Sequence, residues 1–103
     1  MPLRVIFVTA PPKEAGDIAR RLVEERLVAC ANLISGLTSL YWWAGKLNRD
    51  RETLIVLKTP PRNIAALLKR LKQLHSYKVP EFVALPVLEA NPDYVNWVNK
   101  ETS

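Results

Sequence analysis

At 103 residues the chain has room for one domain, residues 1–103, and one core, with nothing left for a second fold. Apolar residues make up 49% and charged residues 24%, an ordinary globular balance with no run of the roughly 18–20 apolar residues that would cross a bilayer. The net charge of +5 is unevenly placed: no acid lies between Glu52 and Glu81, while Lys58, Arg62, Lys69, Arg70, Lys72 and Lys78 fall inside that interval.

The first strand is expected over residues 3–9. Its run Val5-Ile6-Phe7-Val8 is too continuous for an edge strand and predicts burial on both faces. A helix follows over residues 12–27, where Ala15, Ile18, Ala19, Leu22 and Val23 recur at helical spacing. Asp17 with Arg21, and Arg21 with Glu25, stand four apart and can pair on its outer face. A second strand runs over residues 28–43, with a bulge or bend at Ser35-Gly36. The chain turns at Ala44-Gly45-Lys46 and returns in a strand ending in the aliphatic, β-branched run of residues 53–59. These two strands make an unusually long hairpin.

A second helix spans residues 62–74, with Ile64, Leu67, Leu68, Leu71 and Leu74 as its buried stripe. The loop His75-Ser76-Tyr77-Lys78-Val79-Pro80-Glu81 leads to a last strand, residues 82–88, which Pro86 assigns to a sheet edge or bulge. A short closing helix opens with Asn91 as N-cap, Pro92 at its first position and Asp93 near the positive end of its dipole. Its apolar face is expected to be Tyr94, Trp97 and Val98. Two βαβ-like halves around a central hairpin predict an α+β, ferredoxin-like β-α-β-β-α-β sandwich, with both main helices on one face of an antiparallel sheet.

That hairpin is too long for two helices to cover. Alternation puts Tyr41 and Trp43 on one of its faces and Trp42 on the other. A second copy of the chain is the economical cover for such aromatics, so Tyr41, Trp42 and Trp43 are expected at an oligomer interface. The only imidazole, His75, and the only thiol, Cys30, carry any affinity for soft metals, and Glu81 can add a carboxylate if the loop folds back. Each residue also has a plain structural use. Cys30 can be a small buried hydrophobe, His75 can terminate the second helix, and Glu81 can pair with a lysine. Lys58, closing an apolar strand, is read as a structural charge with Glu52 or Glu81 as its partner. No catalytic constellation is visible: there is one histidine, no nucleophile elbow and no Gly-rich phosphate loop.

The string Leu22-Val23-Glu24-Glu25-Arg26-Leu27-Val28-Ala29-Cys30-Ala31-Asn32-Leu33 resembles the first helix and second-strand entry of the CutA divalent-cation tolerance family. Thr38-Ser39-Leu40-Tyr41-Trp42-Trp43, Gly45-Lys46, Glu52 and Leu57-Lys58-Thr59 resemble that family's hairpin. His75, Tyr77, Pro80 and Glu81 resemble its H-x-Y-x-x-P-E loop, and Tyr94 with Trp97 its closing helix. The resemblance covers essentially the whole chain. Ser76, Ser35 and Ala44 depart from it, and Ser76 bears on the rigidity of the metal loop.

The resemblance implies a homotrimer with hairpins wrapping neighbouring subunits and Tyr77 at the interface. It also implies a non-catalytic role in tolerance of copper and other divalent metals, with copper(II) or another divalent cation as ligand and none required for folding. The alternative is a PII-like trimeric signalling module that binds a small anionic effector between subunits. Arg62, Lys69, Arg70 and Lys72 have no interleaved aromatic, and residues 52–58 carry none for stacking on bases, so no specific nucleic-acid partner is expected. The start Met1-Pro2-Leu3-Arg4 lacks signal-peptide character and a lone cysteine suits a reducing cytoplasm, which is the expected location.

Overall fold

A computed structural model describes residues 2–103. The elements run β1 (Arg4–Ala10), α1 (Pro12–Glu24), β2 (Cys30–Trp43), β3 (Lys46–Thr59), a 3-10 turn (Pro61–Asn63), α2 (Ile64–Leu74), β4 (Val83–Pro86) and α3 (Pro92–Glu101). The sheet order is β2-β3-β1-β4, and every neighbouring pair is antiparallel. This is the ferredoxin-like α+β arrangement, with β4 on an edge where Pro86 removes no needed donor.

Ile6, Val8 and Ala10 of β1 and Ile55 and Leu57 of β3 meet Ala15, Ile18 and Leu22 of α1 and Leu67 and Leu71 of α2 in one core. A smaller cluster joins Leu3 to Val95 and Val98 of α3. The strand alternation is clean where continuous burial was expected. Ile6 and Val8 are buried, but Val5 and Phe7 are only partly so, because among the described residues no element fully covers the sheet's second face.

Two helices differ from their sequence patterns. α1 ends at Glu24 rather than at residue 27, because Arg26 takes a left-handed conformation (φ 60°). Its N–H donates to the Val23 carbonyl and that of Leu27 to the Leu22 carbonyl, a Schellman closure with arginine in the usual glycine position. Glu25 then lies beyond the helix and pairs with Arg70 of α2 rather than with Arg21, while Asp17 does hold Arg21 at 3.0 Å. On α3 the buried face is Val95 and Val98; Trp97 stays 44% exposed.

The hairpin is the outlying feature of a body measuring 44 × 25 × 23 Å. Its two-residue turn, Ala44-Gly45, has positive φ at both positions (51° and 76°), as a tight hairpin turn of matching twist requires. Register shifts between Ile34 and Leu37, with Gly36 at φ 82°, confirming the bulge. Beyond the bulge Trp42 pairs with Leu47 and Leu40 with Arg49, so Leu40, Trp42 and Leu47 share one face, all exposed, Trp42 to 73%.

Candidate functional site

The 75–81 loop begins where α2 stops. The His75 N–H still donates to the Leu71 carbonyl, but the backbone has turned extended. Its imidazole is fully buried, and Nε2 lies 2.8 Å from the Thr9 carbonyl, while Nδ1 accepts the Tyr77 N–H at 3.1 Å. A carbonyl only accepts and an amide N–H only donates, so these partners select the neutral Nε2–H tautomer. Glu14 of α1 secures the same loop by accepting from the N–H and hydroxyl of Ser76 at 3.0 and 2.9 Å. The serine that departs from the family pattern thus contributes its own tether.

So held, the loop aims Tyr77 at the hairpin. The Tyr77 hydroxyl donates to Glu52 Oε2 at 2.9 Å, and Glu52 is 4% exposed. Burial, then the hydrogen bond and charge of Glu52, keep the Tyr77 phenol protonated well above its ordinary range. On the hairpin the Tyr41 hydroxyl donates to Asp50, which likewise raises the Tyr41 phenol. Between loop and hairpin lies a cleft of about 640 Å³, bordered by Tyr41, Trp43, Tyr77, Glu52 and Glu81. Partial burial, and then the charge of Glu52, hold the Glu81 carboxyl above the usual carboxylate range.

The structure therefore brings Tyr41, Trp43, Glu52, Tyr77 and Glu81 together and leaves Cys30 and Lys58 elsewhere. Cys30 faces Lys58 across the β2–β3 ladder, with Sγ 4.0 Å from Nζ. Lys58 donates to the Asn32 side chain rather than pairing with Glu52 or Glu81. Glu52 stands six residues along the same strand, roughly 20 Å away at the usual strand rise. Trp42 points away from the cleft.

Among the described residues no three His, Cys, Asp or Glu side chains converge as a metal site. Two carboxylate donors, Glu52 and Glu81, face the cleft. His75 enters a coordination sphere only by surrendering the Thr9 or Tyr77 bond. One chain's donors thus fit a divalent cation in part, through oxygen, and do not form a ready imidazole–thiolate copper centre.

Sequence reasoning missed Thr9, Glu14 and Asp50. Asp50 was recoverable: a two-residue turn at Ala44-Gly45 pairs Ser39 with Asp50, diagonal to Tyr41. No local signal ties Glu14 to Ser76, 62 residues apart.

The family model described as CutA1 divalent ion tolerance protein matches residues 4–101. A Thermus thermophilus divalent-cation tolerance protein CutA is 46% identical over 95% of this chain and 96% of its own length. Protein CutA 1, chloroplastic, of Oryza sativa is 41% identical over 99% of this chain, which spans only 58% of that longer protein. Among solved structures, a CutA from Archaeoglobus fulgidus described as a periplasmic divalent cation tolerance protein superposes with TM-score 0.94 at 31% identity, covering 98% of this chain and 99% of that one. A Nostoc CutA described as a PII-like protein, in apo form, gives TM-score 0.92 at 34% identity and 97% coverage of each chain.

Proposed function

Since this chain belongs to the CutA1 divalent ion tolerance family, we propose that it acts as a homotrimer that binds divalent cations without catalysing a reaction, in the cleft between the hairpin and the 75–81 loop. The observation that carries this reading is the pair of carboxylates, Glu52 and Glu81, facing one cleft in a chain whose net charge is +5. Acids placed together against the overall balance, with one carboxyl raised by partial burial and then by the other's charge, are relieved by a cation. Glu81 is the proposed ligand on the open side and Glu52 the buried one. His75 positions Tyr77 and through it Glu52. Copper(II) recruits His75 or Cys30 only with rearrangement, since neither faces the cleft in this conformation.

Assembly is supported by the uncovered Leu40, Trp42 and Leu47 face, with Tyr41, Trp43 and Tyr77 bordering the cleft that a neighbour closes. Three is the number that the family resemblance implies. A PII-like anionic effector would meet Glu52 and Glu81, with Lys78 alone in the lining to attract it, so the cleft disfavours that alternative. The free Cys30 accords with a reducing cytoplasm, proposed on that ground alone. Among the described residues no helix is long and apolar enough to cross a membrane.

The test is calorimetric titration of zinc and copper(II) into the parent, Glu81→Gln and His75→Ala. Glu81→Gln should bind about tenfold more weakly, the size of effect expected for a lost metal ligand or its support. Affinity unchanged in Glu81→Gln would overturn the cleft as the metal site.

A further inference from the structure

The cleft offers more than a metal ion can use. A divalent ion is satisfied by oxygen ligands at about 2.0–2.6 Å and gains nothing from aromatic walls. Yet three of the residues lining this space of about 640 Å³ are Tyr41, Trp43 and Tyr77, with Val79 adding aliphatic surface. The negative charge is concentrated on Glu52 and Glu81. Glu52 is 4% exposed and spends one oxygen, Oε2, on the Tyr77 hydroxyl; among the described residues no donor reaches its Oε1. Lys78 lines the same space, but neither carboxylate forms an ion pair among the described residues. Glu52 Oε1, the oxygen left open to the cleft, and the Glu81 carboxylate can accept from a partner with charge and hydrogens to give.

An ammonium or guanidinium group on an apolar stem matches this lining part by part. The ring faces attract the cation, the aliphatic surface covers the stem, and the carboxylates take its charge and N–H donors. We propose that the cleft binds a small organic cation of this class, its charged end at Glu52 and Glu81 and its stem against Tyr41, Trp43 and Tyr77. The inference rests on the reading of the cleft as a cation site and adds a second ligand class, with which divalent ions compete for the same two carboxylates.

The experiment titrates the full chain with n-pentylammonium, with n-pentanol and with zinc, each followed by calorimetry. The parent should bind n-pentylammonium saturably, and n-pentanol, which keeps the stem and drops the charge, at least about tenfold more weakly. Glu81→Gln, a change at an exposed position, should weaken n-pentylammonium about tenfold. Trp43→Leu keeps apolar bulk and removes the ring face, so it should weaken n-pentylammonium about threefold. Excess zinc should displace the organic cation. n-Pentanol binding as tightly as n-pentylammonium would overturn the proposal. Zinc binding without n-pentylammonium binding would overturn it and leave the metal reading standing. n-Pentylammonium binding without zinc would uphold it and remove the metal reading, and binding of neither would end both.

Discussion

The lower and upper halves of the β2–β3 hairpin belong to one ladder, yet their surroundings divide them. In the lower half Thr53, Ile55, Leu57 and Thr59 alternate into a core sealed by α1 and α2. In the upper half the same alternation carries Leu40, Trp42 and Leu47 into solvent. In the lower half the helix-facing residues of β3 are satisfied by their own chain; the upper half has the composition of an interior with no interior of its own. The cleft sits at the seam, where a loop anchored on the covered half reaches the uncovered one.

Substitutions should break this comparison differently on the two sides. Leu57→Ala empties a fully buried position and should cost about 3 kcal/mol of folding stability, read by urea unfolding at a concentration where the parent is fully assembled. Trp42→Ala should cost about 2 kcal/mol in assembly while a dissociated chain keeps its secondary structure, because truncating a central aromatic anchor acts on the interface. Light scattering with circular dichroism separates the two effects. At the tip, Ala44→Asn places a residue tolerant of left-handed backbone where φ is 51° and should stabilise the protein by about 0.5 kcal/mol in thermal unfolding.

The smallest effect sits at the seam. Glu81 has its carboxyl raised in the folded state, so its ionised form destabilises the fold above that raised value, and the penalty disappears as pH falls through it. Glu81→Gln should therefore melt slightly higher than the parent near pH 7, with the gap closing toward pH 4. A gap that widens on acidification would show that Glu81 is a stabilising charge.

Much of this division is legible before folding, because strand and helix periodicities are local. The stripe of α2, the bulge at Gly36 and the hairpin turn all follow from residues within a few positions of each other. The end of α1 is not, since Arg26 stands where glycine usually closes a helix and its guanidinium is held by Glu101, 75 residues away. Nor is the orientation of His75: its partners on β1 and its own loop turn the chain's one imidazole inward, while Glu52, read as a partner for Lys58, answers to Tyr77. Side-chain chemistry marks the candidate residues, and tertiary contact decides which of them face one another.

The central claim is that the upper hairpin is an interface between copies of this chain. Multi-angle light scattering at micromolar concentration measures it most directly. The account predicts a mass three times that of the 11.7 kDa chain, whereas a single-chain mass would leave Leu40, Trp42 and Leu47 in water and contradict it.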